Sequence, residues 1–254
     1  MTTQGEYMSR NRAESRVTKM QRKSNQPDNV INFEQTAQYK QKKVDLIPRT
    51  RNQENLIMAL QNTNQHIVVA TGPAGTGKTY LAMLAAIKAL KEGRCERIIM
   101  TRPAVGVEDE QHGFLPGNLV AKMEPWTRPL LDVLREYYRP HDIIAMIEDQ
   151  IIEIAPLAFV RGRTFKNCWL IADEMQNATP NQMKTLLTRI GENSKFVVTG
   201  DIEQSDRRIV DNGLLDVLNK LTETPVEGIT VCQMTGKDIQ RHKIITAVLD
   251  LYAE

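Results

Sequence analysis

Cysteine is scarce in this chain. Cys95, Cys168 and Cys232 stand far apart, with no C-x-x-C spacing and no histidine pair beside them. That argues against a thiolate zinc site and against a disulfide framework, and it fits buried thiols. Long apolar runs are also missing. None approaches the roughly 20 residues that a helix needs to cross a bilayer, so no membrane partner is expected. The first residues are polar and basic and lack the apolar stretch of a secretory signal, so the expected location is cytoplasmic. Aromatic residues are only 5% of the total. No run interleaves them with basic residues, so the sequence carries no evident base-stacking platform of the single-strand-binding kind.

The remaining composition is that of an ordinary soluble globular protein, with 41% hydrophobic and 25% charged residues in 254. The net charge of +2 hides an asymmetry. Residues 1–51 hold 11 Lys+Arg against 5 Asp+Glu, and the remainder holds 22 against 26. The expected organisation is a flexible basic arm over 1–45, rich in Gln, Asn, Ser, Lys and Arg, followed by one α/β domain over 46–254. Such an arm either contacts nucleic-acid phosphates or serves as a solubilising tail. No internal repeat is visible.

One stretch organises the rest. Gly72-Pro73-Ala74-Gly75-Thr76-Gly77-Lys78-Thr79 matches G-x-x-x-x-G-K-T, a phosphate-binding loop. The apolar run His66–Thr71 before it reads as a buried parallel strand. After it, Leu81, Leu84, Ala85, Ile87 and Leu90 recur at helical spacing. The loop therefore joins a strand end to a helix start, where unpaired backbone amides and the helix dipole face an anion. Glycines let the backbone close on phosphate oxygens. Lys78 would reach the β- and γ-phosphates, and the Thr79 hydroxyl would hold Mg²⁺.

Upstream, Arg51-Asn52-Gln53 opens a helix with Leu56, Ile57, Ala59 and Leu60 on its apolar side. Gln53 could read an adenine edge through its amide. Downstream, Arg97–Thr101 is a second strand, completing a βαβ unit of a parallel sheet. A helical stretch is expected from Asn118 towards Tyr138, broken or kinked by Pro125 and Pro129, then a short helix, Ile143 to Glu148, that Pro140 and His141 start, and a strand over Ile151–Ile154. The basic turn Arg161-Gly162-Arg163-Thr164 either contacts phosphate or is simply solvated. Cys168–Ala172 is an apolar strand ending in Asp173-Glu174. At the carboxyl end of such a strand, Asp173 would hold Mg²⁺ through water and Glu174 would deprotonate the attacking water. Thr179 or Asn181 caps the next helix, which Gly191 is expected to end. Lys195–Thr199 is another buried strand, and Gln204 just beyond it has the reach to sense a γ-phosphate. A helix over Asn212–Leu221, a strand over Ile229–Cys232 and a final amphipathic helix over Asp238–Leu251 complete the pattern. Arg241 lies near the start of that last helix, where a positive charge opposes the dipole and hints at a partner.

On these blocks the chain resembles the PhoH-like ATPase family over roughly residues 48–253. The resemblance is carried by the loop together with Thr101-Arg102-Pro103-Ala104-Val105, Gly113-Phe114-Leu115-Pro116-Gly117, Arg161–Phe165, Ala172-Asp173-Glu174-Met175-Gln176-Asn177, Leu187–Gly191, Thr199-Gly200-Asp201 and Asp238 with Arg241-His242. Ser205-Asp206-Arg207-Arg208 departs from the family's usual leucine and proline after the aspartate. The family is similar to the N-terminal RecA-like half of superfamily 1 helicases. The resemblance implies an α/β P-loop NTPase with a mostly parallel sheet covered by helices on both faces. It implies Lys78 and Thr79 as Walker A residues, Asp173 and Glu174 as the Walker B pair, Gly200-Asp201 with Gln204 as the motif that links the γ-phosphate to nucleic acid, and Gln53 as the adenine reader. The nucleotide-contacting set is then Gln53, Gly72, Pro73, Ala74, Gly75, Thr76, Gly77, Lys78, Thr79 and Tyr80, with ATP and Mg²⁺ as ligands.

A lone RecA-like domain lacks the arginine that such ATPases use at the developing charge. A homo-oligomeric ring, expected to be a hexamer, would supply it in trans from Arg241 or, failing that, Arg163. The function expected is ATP hydrolysis coupled to remodelling or helicase-type activity on single-stranded nucleic acid, RNA before DNA, and the resemblance implies that the Thr101-Arg102 strand end corresponds to a helicase segment that touches the strand. The alternative is nucleotide-controlled assembly with slow turnover. The absence of an N-K-x-D guanine motif, with Gln53, favours adenine.

Overall fold

The structure is a computed structural model and describes residues 42–103, 128–205 and 211–240. Its centre is a six-stranded, all-parallel sheet. The strands are β1 (Ile67–Thr71), β2 (Arg97–Arg102), β3 (Ile152–Pro156), β4 (Cys168–Ala172), β5 (Lys195–Gly200) and β6 (Ile229–Gln233), in the spatial order β3-β2-β4-β5-β1-β6. β5 therefore separates the strand that feeds the phosphate-binding loop from the strand that ends in Asp173. Every residue of β1, β4 and β5 is buried, as expected where helices cover both faces.

Alternation along the strands sorts the core into two layers. Val68, Ala70, Ile98, Met100, Trp169 and Ile171 face one side. They pack against Leu56 and Leu60 of helix α1 (Arg51–Gln61), Leu84 and Ile87 of α2 (Lys78–Lys91), Leu130 and Leu134 of the helical residues 128–135, and Ile143 of α3 (Pro140–Glu148). Ile67, Val69, Leu170, Phe196 and Val198 face the other side. There they meet Met183 and Leu186 of α4 (Pro180–Leu187) and Leu214 of α5 (Gly213–Glu223). The expected RecA-like P-loop architecture is present, with crossover helices on both faces of a parallel sheet.

Local signals set the helix ends. Thr179 is the N-cap of α4: its hydroxyl accepts from the Gln182 amide at 3.2 Å, and the Gln182 side chain accepts from the Thr179 amide at 2.9 Å. At the C-terminus of α1, Lys195 at the start of β5 donates to the carbonyls of Leu60 (2.8 Å) and Asn62 (2.7 Å). Burial pushes this ammonium down to about 8, and the carbonyls it serves keep a charge in the core satisfied.

Two expectations are corrected. α4 ends at Leu187, so Gly191 does not terminate it; a Cβ at Gly191 would lie 2.6 Å from the Phe165 carbonyl oxygen, so the glycine serves close backbone approach. No helix begins at Asp238. Gly236–Asp238 is a short 3₁₀ turn and Ile239 is extended; the rest of the expected final helix, 241–251, lies outside the described residues.

α5 abuts the start of α4 through Gly213, whose amide donates to the Ala178 carbonyl at 2.7 Å. A Cβ there would meet the Thr179 carbonyl oxygen at 2.5 Å, whereas one at Gly236 would meet nothing within 4 Å. Gly213→Ala is therefore expected to lower unfolding stability by about 1–3 kcal/mol through overpacking, with Gly236→Ala close to wild type. Urea midpoints compare them; equal midpoints for the two variants would contradict the packing described.

Candidate functional site

β1 delivers the chain into the loop at Gly72. Its φ is 125°, and a Cβ would lie 2.3 Å from the Met234 carbonyl oxygen, so only glycine fits this turn. Gly77, at φ 85°, is the N-cap of α2 and offers no side-chain hydrogen bond to the helix. The first amides of a 14-residue helix are thus left without a side-chain cap, the arrangement that receives an anion. Thr76 is wholly buried and its hydroxyl donates to the Pro73 carbonyl at 2.9 Å, so its side chain shapes the loop. Lys78 is buried and folds back, its Nζ donating to the carbonyls of Gly72 (2.5 Å) and Pro73 (2.9 Å).

The end of β4 faces this loop. Asp173 Oδ1 accepts from the Thr79 hydroxyl at 2.7 Å and from the Thr199 hydroxyl at 2.5 Å. Hydroxyl and carboxylate oxygens converging on one point are a fitting donor set for a hard cation such as Mg²⁺. Sequence reasoning assigned no role to Thr199; the available signal was its place at the end of a buried strand, next to Gly200-Asp201.

Glu174 follows with φ 54° and ψ 37°, a left-handed backbone that a glutamate adopts only under constraint. The constraint includes Gln176, whose Nε2 donates to Glu174 Oε2 at 2.6 Å. The Gln176 oxygen accepts the Asp201 amide at 3.1 Å, and Asp201 Oδ2 accepts the Ala74 amide of the loop at 3.2 Å. Gln176 and Asp201 are both buried. A Cβ on Gly200 would lie 2.7 Å from the Gln176 oxygen, so this glycine admits the relay. The chain Glu174–Gln176–Asp201–Ala74 ties the ends of β4 and β5 to the loop after β1. Gln176 carried no assigned role from sequence, because its contact with Asp201 joins segments 25 residues apart.

A cleft of ≈ 370 Å³ lies between these groups, bounded by Lys78, Thr79, Asp173, Glu174, Asp201 and Gln204. Gln204 sits on the short turn Ile202–Gln204 with its side chain exposed. Arg102, at the end of β2, also lines the cleft, and its Nη2 stands 3.4 Å from Glu174 Oε1. A second cleft of ≈ 510 Å³ adjoins the loop and is bounded by Ile47, Arg49, Gln53, Tyr80, Leu81 and Leu84; Gly75, Gly77 and Tyr80 line both. The Tyr80 hydroxyl donates to Glu136 at 3.4 Å, and burial followed by the Glu136 charge raises its pKa, so it stays protonated at neutral pH. The Gln53 amide braces the loop: Nε2 donates to the Thr76 carbonyl at 3.0 Å and Oε1 accepts the Arg49 amide at 2.8 Å. One further donor and acceptor remain on that amide.

The structure does not bring Arg163 to the cleft. Its guanidinium forms a two-pronged pair with Glu153 of β3 and stacks over the Phe165 ring at 4.6 Å. Arg241 lies outside the described residues. The segment just before it is fixed: the Gln240 amide donates to the Gly75 carbonyl at 2.9 Å. Asp238 anchors that segment to the start of α1. Its Oδ2 accepts from Asn52 Nδ2 at 2.7 Å, from the Thr235 amide at 2.7 Å and from the Thr235 hydroxyl at 3.0 Å. Burial alone would raise its pKa, but these bonds and one from Thr50 outweigh it and hold the carboxyl down at about 2.

Comparison with known proteins places these features in a family. The family described as PhoH-like protein matches residues 45–253. A PhoH-like protein of Synechocystis sp. is 43% identical over 204 residues, covering 80% of this chain and 61% of its own length. One from Bacillus subtilis is 42% identical over 205 residues, covering 80% and 63%. Protein PhoH of Escherichia coli is 41% identical over 211 residues, covering 82% and 58%. The chain thus spans about three-fifths of the length of these relatives. Among solved structures, the Sulfolobus solfataricus SWI2/SNF2 ATPase core in complex with dsDNA aligns with a TM-score of 0.42 at 14% identity, over 76% of this chain and 45% of that one.

The Asp238 anchor has a pH signature. A carboxyl whose folded pKa is lowered from 3.8 to about 2 adds stability that is complete above about pH 4 and is lost as pH falls towards 2. Wild type should therefore lose roughly 1 kcal/mol more than Asp238→Asn between pH 6 and pH 3, the upper part of that window. Urea unfolding at pH 6, 4 and 3 measures it; a gap between the two proteins that stays constant would contradict the anchor.

Proposed function

The chain belongs to the PhoH-like family, and from that premise we propose that it binds ATP with Mg²⁺ and hydrolyses it, with turnover coupled to single-stranded nucleic acid, RNA first. The observation that carries this reading is the meeting of Lys78 and Thr79, at a helix start without a side-chain cap, with Asp173 and Glu174 across one cleft. In the proposal the triphosphate enters the cleft beside the loop and the nucleoside occupies the larger one past Tyr80. Gln53 borders that space with one donor and one acceptor to spare, which suits an adenine edge.

Each residue's part follows from its present partners. Lys78 exchanges two loop carbonyls for phosphate oxygens, a charge-assisted bond in place of neutral ones. Asp201 gives up the Ala74 amide to the incoming phosphate, because a carboxylate and a phosphoryl group compete for the same donor. Mg²⁺ held by Thr79 and, through water, by Asp173 would neutralise charge developing on the phosphates. Glu174 takes a proton from water as that water attacks the γ-phosphorus, and ADP and phosphate leave. Gln204, at the cleft mouth, is placed to report the γ-phosphate to whatever binds outside. Residues 46–254 act as the ATPase domain and residues 1–45 as a basic arm. A homo-oligomeric ring, hexameric in this proposal, completes the site with Arg241 of a neighbour, in the cytoplasm.

A second reading, nucleotide-controlled assembly with slow turnover, has one observation in its favour. Both oxygens of Glu174 are engaged, one by Gln176 and one by Arg102.

ATP turnover by the purified protein, with and without poly(U) RNA or single-stranded DNA, separates the two. The proposal expects stimulation by at least one polymer. It also expects Glu174→Gln to lower turnover by roughly 10²–10⁴ while nucleotide binding persists. Turnover that no polymer changes, with a nucleotide-dependent change in mass, would move the function to assembly. Unimpaired turnover in Glu174→Gln would remove Glu174 as the base.

A further inference from the structure

Glu174 has a partner that the ATPase reading does not require. Arg102 stands at the carboxyl end of β2, and β2 lies on the side of β4 away from the loop strand. Three strand spacings, about 14 Å, separate β2 from β1. The guanidinium thus reaches Glu174 from the β2 side of the cleft that the phosphate-binding loop also lines, with Nη2 3.4 Å from Oε1, while Gln176 holds Oε2. Arg102 and Glu174 are each about one-third exposed, so a ligand arriving from solvent can reach the pair.

We propose that Arg102 is a positioning residue through which a phosphodiester backbone controls Glu174. With its guanidinium on Glu174, the carboxylate oxygen that would take a proton from water is occupied. A nucleic-acid phosphate offers the same guanidinium a two-pronged partner, and Arg favours that geometry. Transfer of Arg102 to the phosphate frees Glu174 Oε1 for the attacking water. Gln176, buried and tied to Asp201, keeps the carboxylate aimed into the cleft during the exchange. Polymer binding is thereby coupled to turnover through one ion pair. This rests on the ATPase reading above and names how its nucleic-acid partner acts. The γ-phosphate of ATP carries the same chemistry, and the test separates the two sources.

The test measures steady-state ATP turnover of wild type, Arg102→Gln and Arg102→Lys, each alone and with saturating poly(U) or oligo(dT), with KM for ATP recorded. Release of Glu174 predicts that Arg102→Gln raises the unstimulated rate roughly three- to fivefold, the size set by a part-exposed ion pair. KM should stay within about twofold, and the ratio of stimulated to unstimulated rate should fall towards one. Arg102→Lys, which keeps the charge but not the fork, should lie between wild type and Arg102→Gln on both counts. If Arg102→Gln lowers both rates, Arg102 serves the γ-phosphate and the proposal fails. If the ratio matches wild type, the proposal fails while nucleic-acid coupling stands. If Arg102→Gln loses nucleotide binding, Arg102→Lys decides: an unstimulated rate equal to wild type overturns the proposal. A wild type that hydrolyses ATP but answers to no polymer removes the phosphodiester partner. A wild type that hydrolyses none removes the ATPase reading itself.

Discussion

The site depends on one carboxylate. Asp173 Oδ1 takes the hydroxyls of Thr79 and Thr199, and so joins the start of α2, the end of β4 and the end of β5 at a single oxygen. These segments are 94 and 26 residues away from Asp173 in the chain. A parallel sheet makes the meeting possible, because every strand ends on the same edge and the helices return the chain to the opposite one. Without the hydroxyls the carboxylate would be an under-satisfied charge in a part-buried crevice, and with them it is a ready oxygen ligand.

A second set of bonds runs beside the first. Gln176 links Glu174 to Asp201, and Asp201 reaches the loop at Ala74. The strained backbone of Glu174 makes sense in that setting, since a left-handed glutamate persists only where its surroundings over-determine it. Lys78 and Asp201 both hold loop groups that a phosphate would claim. Entry of a phosphate would therefore be an exchange of partners within a formed crevice, a small reorganisation and not a large one.

The sequence made the local features legible and left the distant ones hidden. The G-x-x-x-x-G-K-T stretch announces itself because its glycines, lysine and threonine act within eight residues. The Cys168–Ala172 strand was readable from its apolar run, and its acidic end gained meaning only from the phosphate-binding loop upstream. Gln176 and Thr199 were not, because their parts arise only when β4 and β5 lie side by side. Arg163 looked available until Glu153 was seen beside it. Asp238 looked like a helix start because apolar residues recur beyond it, yet Thr235 and Asn52 draw it into a turn. In each case a tertiary partner overrode a local pattern. The continuously buried strands survived, since a parallel sheet covered on both faces demands apolar residues on both sides of each strand.

The central claim is that Lys78, Thr79 and Asp173 together receive a nucleotide with its metal. Calorimetric titration of ATPγS into Glu174→Gln protein, with and without Mg²⁺ and beside the same protein carrying Lys78→Ala, addresses it directly. The account predicts one site per chain, tighter with Mg²⁺ and lost with Lys78→Ala. Binding that ignores both Mg²⁺ and Lys78, or no binding at all, would contradict it.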